Sequence, residues 1–173
     1  MAGDAPAPSS PAFACSIRHD VVVSVWSRGG DESDVRVLLD HVDDAADANE
    51  GRAGVLMVIT EHTSLPTSSA RKLAGSYVRT RPGRIAHMAI VVEGSGFWAS
   101  AMRSVFSGIG LLYRPKAPWT MVATVDDAVR WLVQHGAVDE PNTGELNAAV
   151  DELRSAVQGA CVEGAEGQPG KKT

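Results

Sequence analysis

A short apolar run that passes at once into a polar loop and a helix-forming segment constrains this chain more than any other feature. Residues 55–59 read VLMVI, a run rich in β-branched side chains, which is typical of a strand covered on both faces. Residues 60–67 are polar apart from Leu65 and contain Pro66, and residues 68–77 favour a helix. The sequence therefore predicts a buried strand that leads through a polar loop into a helix, and we expect the functional surface at this junction.

The pattern of residues 13–137 predicts an α/β domain. Runs with strand character fall at 13–17, 21–26, 55–59, 85–92 and 120–125, and helical patterns separate the later ones. Asp31 or Ser33 can cap the first helix, and Asp126 can cap the helix that closes the domain. We expect a layered domain at 13–137 with a four- to five-stranded mixed sheet and right-handed crossovers. An appended amphipathic helix is expected within 138–160.

The spacing of apolar residues predicts which helix faces are buried. The helix after residue 96 is expected to bury Phe97, Ala101, Val105, Ile109 and Leu112. The helix after Asp126 is expected to bury Ala128, Trp131 and Leu132, with Trp131 largely out of solvent. The appended helix is expected to dock a stripe on the domain or on another copy of the chain, and the stripe comprises Leu146, Val150, Leu153 and Val157.

Composition bounds the class of protein. With 173 residues, 44% of them hydrophobic, the chain can bury one sizeable core, and we expect disordered tails at 1–12 and 161–173. No run approaches the ~18 apolar residues that a membrane span needs, so we expect a cytoplasmic protein without a span. Cys15 and Cys161 lie far apart and are interpreted as ordinary thiols. The five histidines have no ligand spacing, so no metal site is predicted.

One glycine pattern could indicate a dinucleotide site. Gly94, Gly96 and Ala99 spell G-x-G-x-x-A at the start of a helix. No acidic residue ends a strand ~20 residues further on, and Phe97 and Trp98 would crowd a pyrophosphate. We interpret the pattern as a tight strand-to-helix turn and predict no cofactor.

Charge is segregated along the chain. Residues 31–50 hold eight acids against one base, Arg36, whereas eight bases between positions 61 and 126 face only Glu93. These bases are Arg71, Lys72, Arg79, Arg81, Arg84, Arg103, Arg114 and Lys116. If they share a surface, that surface would attract phosphate, an anionic lipid headgroup or an acidic protein. The alternative is that acidic and basic helices simply lie side by side.

Two strings in this pattern resemble a known family. Residues 61–71, EHTSLPTSSAR, resemble the loop and helix start of the STAS family of bacterial anti-sigma-factor antagonists. Residues 121–132, MVATVDDAVRWL, resemble the strand and helix that end many STAS-like, or SpoIIAA-like, proteins. The resemblance covers residues 13–137. Thr67 stands where the family has an aspartate, and Ala70 where it has a glycine.

The resemblance implies a non-enzymatic regulatory module that binds a protein partner, such as an anti-sigma-like kinase. By position, Ser68 would be the phosphorylated serine, with Ser69 next to it, and Thr67, Arg71 and Lys72 would contribute to the interaction surface. A phosphoryl group at a helix N-terminus gains from the dipole and could pair with Arg71 and Lys72. The alternative is that Ser68 only caps the helix.

Other functions stay open at this point. Some relatives resemble lipid-binding Sec14 domains, so a carrier or sensor of a hydrophobic or anionic lipid-like ligand is the first rival. An enzyme of unknown type is the second, although we find no G-x-S-x-G or H-E-x-x-H pattern. We expect no nucleic-acid partner, and a homo-oligomer remains open.

Overall fold

A single five-stranded mixed sheet forms the centre of the molecule. The computed structural model describes residues 13–61, 63–113 and 116–163. The strands are β1 (Phe13–Arg18), β2 (Val21–Trp26), β3 (Ala53–Ile59), β4 (Ile85–Val92) and β5 (Trp119–Val122). They lie in chain order, with β1 antiparallel to β2 and the others parallel. The predicted α/β class and mixed sheet are confirmed, and the arrangement is consistent with a STAS-like layered fold.

Helices cover both faces of the sheet. They are α1 (Glu32–Ala48), α2 (Ser68–Thr80), α3 (Gly96–Tyr113), α4 (Val125–Gln134) and α5 (Thr143–Glu163). Helices α1, α2 and α3 pack on one face, and α4 and α5 pack on the other. Because the strands follow in order, parallel crossovers of one hand place the connecting helices on the same side. The chain then returns through a short 3-10 turn, Glu140–Asn142, so that α5 covers β1 and β2.

The central strands are buried on both faces, as the apolar run predicts. Leu56 and Val58 of β3 belong to the cluster beneath α4 and α5, whereas Val55 belongs to the cluster beneath α1 and α2. The side chains of β2 likewise divide between the two clusters: Val21, Val23 and Val25 belong to the first, and Val22 and Trp26 belong to the second. This two-sided burial explains why neither strand alternates between polar and apolar residues.

Side-chain caps begin the helices. The Asp31 carboxylate accepts hydrogen bonds from the backbone N–H groups of Ser33 and Asp34, at 2.7 and 3.1 Å. Thr67 caps α2, and Thr124 caps α4 by accepting from the N–H of Asp127. Asp31 is therefore the cap of the first helix. The prediction that Asp126 caps α4 is wrong, because the cap is Thr124, two residues earlier, and Asp126 lies in the first turn of the helix.

The buried face of α3 differs from the prediction. Phe97 is 90% exposed and Ala101 is exposed, whereas Ala99 and Met102 are buried against β3 and β4. The side chains of Ile109 and Leu112 lie outside the described residues. The helix carries apolar residues on every side, so periodicity could not select the face that contacts the sheet.

Helix α4 buries Ala128, Val129 and Leu132, which confirms two of the three predicted residues. Trp131 is partly buried and packs against the same cluster, so its predicted burial is confirmed in part, although it is less buried than Ala128 and Leu132. Its ring stacks on His135, with the ring centroids 4.0 Å apart. A short helix buries a narrow stripe, and Trp131 lies at the margin of that stripe.

Helix α5 buries its predicted stripe against the domain's own sheet. Leu146, Val150, Leu153 and Val157 share one cluster with Val21 and the other inward residues of β2. Arg18 of β1 and Glu152 of α5 also form an ion pair at 2.8 Å. The helix runs to Glu163, three residues into the predicted C-terminal tail, and the tails at 1–12 and 164–173 lie outside the described residues.

Cys15 is a buried free thiol on β1. Burial raises the pKa of this thiol to about 12, so it remains protonated at neutral pH. The side chain of Cys161 lies outside the described residues. Within the described ranges, no helix combines the length and apolar character that crossing a membrane requires.

Candidate functional site

The predicted junction lies at the carboxyl end of β3. Thr67 accepts a hydrogen bond from the N–H of Ala70, at 3.2 Å, and is therefore the residue that caps α2. Ser68 and Ser69 are the first two residues of the helix, and both are exposed. The Ser69 hydroxyl lies 3.1 Å from that of Thr67. The alternative that Ser68 caps the helix is thus wrong, and its hydroxyl has no capping role.

Arg71 and Lys72 lie one turn into α2 but in different surroundings. Lys72 is exposed. Arg71 is half buried, and its Nη1 donates a hydrogen bond to the carbonyl of Pro66 at 2.6 Å. Arg71 therefore holds the end of the loop against the first turn of the helix, and the residue also lies at the border of the space beneath the loop.

Hydrogen bonds fix the loop to elements on either side. Thr63 is buried, and its hydroxyl lies 3.0 Å from the carbonyl oxygen of Trp26, to which it donates. The indole N–H of Trp98 donates to the Thr63 carbonyl at 3.2 Å, which ties the loop to α3. The Ser64 hydroxyl accepts from the N–H of Gly29 at 2.9 Å, which ties it to the β2–α1 turn. These hydrogen bonds hold the loop in one position, and the loop forms one side of the space that it borders.

Two neighbouring apolar cavities lie between the sheet and helices α1, α2 and α3, and the loop borders the first of them. The first, here called the loop cavity, has a volume of about 110 Å³ and is bordered by Thr63, Ser64, Pro66 and Arg71. The second, the distal cavity, has a volume of about 150 Å³ and extends towards Ile85 and Trp119. The residues that line both are Leu38, Leu39, Met57, Ala74 and Phe106.

Small side chains on α2 account for the space. Ala70, Ala74 and Gly75 line the cavities from that helix, whereas α1 contributes the larger Leu38 and Leu39. A helix that presents alanine and glycine inward leaves unfilled volume unless its neighbours move closer. Sequence reasoning missed these residues, and their i, i+4, i+5 spacing was the available signal.

Ion pairs hold α2 against α1 along the wall of the cavities. The Tyr77 hydroxyl donates to Asp43 at 2.7 Å, Arg84 Nε donates to the same carboxylate at 3.1 Å, and Arg81 pairs with it as well. Burial alone would raise the pKa of Asp43, but these hydrogen bonds together hold it below its usual value. Burial and the contact with Asp43 raise the pKa of Tyr77. The carboxylate is therefore ionised at neutral pH and links α1 to the end of α2.

The same contacts decide between the two interpretations of the charge pattern. Arg84 also pairs with Asp47, at 2.5 Å, so the acidic segment of α1 neutralises Arg81 and Arg84. For these two residues, the alternative that acidic and basic elements lie side by side is confirmed. Arg114 lies outside the described residues.

A second, polar groove of about 570 Å³ lies on the opposite side of the sheet, between the start of α4 and α5. Its walls include Glu93, Thr124, Asp126 and Asp151. Arg154 forms ion pairs with both Glu93 and Asp151 across it. Glu93, Asp151 and Arg154 therefore already have partners within the protein. In the described part of the chain, no three His, Cys, Asp or Glu side chains lie close enough to hold a metal ion.

The fold and site define a class: an α/β domain with a mixed sheet and an apolar cleft between the sheet and helices α1–α3, bordered at one end by the loop between β3 and α2. No protein-family model, curated protein or solved structure matches this chain.

Proposed function

We propose that the protein is a non-enzymatic, STAS-like binding module that holds a hydrophobic ligand in the cleft between the sheet and α1–α3. The observation that carries this proposal is the pair of adjoining apolar cavities between the sheet and these helices, the first of which the loop borders. Natural cores are close-packed, with few voids larger than a water molecule. Two neighbouring voids lined by Leu, Met, Phe and Ala side chains are therefore better explained by an occupant than by packing.

Filling the shared wall of the two cavities should block the ligand. Ala74→Phe adds a phenyl ring to the space between them, and we expect at least a tenfold loss of affinity for a neutral apolar probe such as N-phenyl-1-naphthylamine. The fold should persist, because the ring occupies an existing void rather than a packed core. Fluorescence titration of the probe, with a thermal melt of each variant, measures both effects.

The control is Ala101→Phe, which makes the same change at an exposed position of α3. It should bind the probe as the wild type does. Equal binding by wild type and Ala74→Phe, or no binding by either, would contradict the proposal. Organic extraction of protein purified from its own cells, followed by mass spectrometry, would identify a natural ligand.

A second candidate function is a protein-interaction module switched by phosphorylation of Ser68. The observation that favours it is that Ser68 is exposed at the start of α2 while Thr67 supplies the cap. A phosphoryl group there would meet unpaired helix N–H groups, with Arg71 and Lys72 within the next turn. Ser69 and Thr67 would lie on the same contact surface for a kinase or other protein partner.

Because Ser68 is not the cap, Ser68→Ala should change the free energy of unfolding by no more than ~0.5 kcal/mol. Thr67→Ala should cost about 1 kcal/mol through loss of the cap. Denaturant melts distinguish the two. Ser68→Asp should change the set of proteins captured from lysate, whereas Ser155→Asp, which adds the same charge to the exposed side of α5, should not.

If the protein is switched by phosphorylation, it should carry a covalently bound phosphate in its own cells. Mass spectrometry with fragmentation should find phosphate on Ser68 or Ser69 in protein from its own cells. Unmodified serines under all growth conditions, together with identical partner sets for wild type and Ser68→Asp, would remove the switch and leave the ligand proposal intact.

A further inference from the structure

Both cavities present an almost wholly apolar surface to the space inside them. Among the residues that the structure describes, the distal cavity is lined by aliphatic and aromatic side chains, by methionine and by glycine. The loop cavity is also bordered by Arg28, Thr63, Ser64 and Arg71, but almost none of the surface that faces this space is polar either. A molecule in the cleft would therefore be surrounded by carbon along its whole length.

Hydrogen bonds within the protein engage the polar atoms at the border of the loop cavity. The Thr63 hydroxyl donates to the backbone carbonyl of Trp26, and the Ser64 hydroxyl accepts from the N–H of Gly29. The Arg71 guanidinium donates to a backbone carbonyl of the loop. These side chains contribute carbon to the wall of the cavity, so the loop offers a ligand almost no hydrogen-bonding partner.

An interior of this kind disfavours polar groups as well as favouring apolar ones. A hydroxyl or carboxylate that enters it loses its hydrogen bonds to water and finds no partner, and a carboxylate also loses the solvation of its charge. A hydrocarbon has no hydrogen bonds to lose and gains from its transfer out of water. The cleft therefore favours a ligand without any hydrogen-bonding group over a polar molecule of the same shape.

The volumes indicate the size of the ligand. An apolar cavity of about 150 Å³ accommodates a molecule the size of benzene. The distal cavity has about this volume, and the loop cavity is smaller, at about 110 Å³. Ala74 has the smallest side chain of the residues that line both, so a ligand that spans the two cavities passes beside it. By this measure, such a ligand is roughly the size of two aromatic rings.

We propose that the natural ligand of this cleft is a wholly apolar molecule of about two-ring size, with no hydroxyl, carboxylate or phosphate group. This inference rests on the proposed ligand-binding function and adds the ligand's polarity and size. It distinguishes the cleft from the site of a fatty-acid or phospholipid carrier, whose ligand has a head group that needs a polar partner.

The test compares three molecules with the same two-ring skeleton: naphthalene, 2-naphthol and 2-naphthoate. Each displaces N-phenyl-1-naphthylamine from the wild-type protein in a fluorescence titration. Naphthalene should bind at least about ten times more tightly than either polar analogue, because neither polar group finds a partner in the cleft. Pyrene, which has four fused rings, should bind more weakly than naphthalene despite its larger apolar surface, and its own fluorescence reports its binding.

A hydroxyl added to the wall should relax this selectivity. Val55 of β3 lines the distal cavity, and Val55→Thr changes the shape of the wall little while it adds a donor and acceptor for 2-naphthol. The preference for naphthalene over 2-naphthol should fall at least threefold. The matched control is Val58→Thr, the same change on the opposite face of the same strand, which should keep the wild-type preference. Thermal melts establish that both variants are folded.

The possible failures have different meanings. Equal binding of naphthalene and either polar analogue by wild type would overturn the inferred polarity of the ligand and leave the cleft as a hydrophobic site. Pyrene that bound more tightly than naphthalene would overturn the inferred size. An equal fall in preference in Val55→Thr and Val58→Thr would overturn the placement of the ligand in the distal cavity. Failure of naphthalene, pyrene and the probe to bind would overturn the proposed function itself.

Discussion

Removing α5 should unfold the domain. A chain that ends at Pro141 loses the helix that covers β1 and β2, and the buried stripe of Leu146, Val150, Leu153 and Val157 goes with it. At about 1.5–3 kcal/mol for each fully buried aliphatic side chain, the loss is on the order of 6–12 kcal/mol. That is comparable to the whole stability of a typical domain. We expect little cooperative unfolding by circular dichroism and aggregation in size-exclusion chromatography.

A matched truncation separates loss of packing from loss of chain length. A chain that ends at Gln158 keeps the stripe through Val157 and should melt close to the full-length protein. A single change, Leu153→Asp, places an unpaired carboxylate at a position that is 2% exposed and should destabilise nearly as much as removal of the helix. A truncation at Pro141 that melted like the full-length chain would show that the contacts of α5 with the sheet contribute little.

The sequence predicts best the elements whose apolar residues fit only one kind of secondary structure. Strand β4 (Ile85–Val92) has the predicted bounds, and β2 does as well, because short, mainly apolar runs bounded by turn residues have few alternatives. Helix α1 follows its capping residue, Asp31, and its single apolar stripe. In these segments local propensity and tertiary packing favour the same structure.

Predictions failed where the local pattern did not determine orientation. Helix α3 carries apolar residues on every side, so the choice between Phe97 and Ala99 as the inward residue depends on how the turn at Gly94 and Gly96 directs the helix. Both glycines adopt positive φ, +86° and +71°, which other residues rarely adopt. A Cβ on Gly94 would also lie 2.8 Å from the Glu61 side chain, which would have to move to accept it.

The candidate site was predictable in part. The change from an apolar strand to a polar loop located the junction, and the hydroxyl residues before α2 indicated a cap, although Thr67 rather than Ser68 performs that role. The cavities could not be predicted, because a void depends on how far three helices stand from the sheet. Ala70, Ala74 and Gly75 are compatible with tight packing as well as with an open cleft, and only the tertiary arrangement distinguishes the two.

Leu132 should matter more to stability than its larger neighbour Trp131. Leu132 is fully buried between α4 and the sheet, and Leu132→Ala should cost about 2–5 kcal/mol through lost transfer free energy and the cavity left behind. Trp131 is partly buried at the edge of the same cluster and stacks on His135, so Trp131→Ala should cost less, roughly 1–2 kcal/mol.

Urea melts of the two alanine variants measure this order directly, and Arg130→Ala on the exposed side of the same helix serves as the control, with an expected change within ~0.5 kcal/mol. The size of the side chain alone would predict the reverse order, because tryptophan has more surface to bury than leucine. A Trp131→Ala variant that lost more stability than Leu132→Ala would show that the margin of α4, rather than its central stripe, supports the sheet.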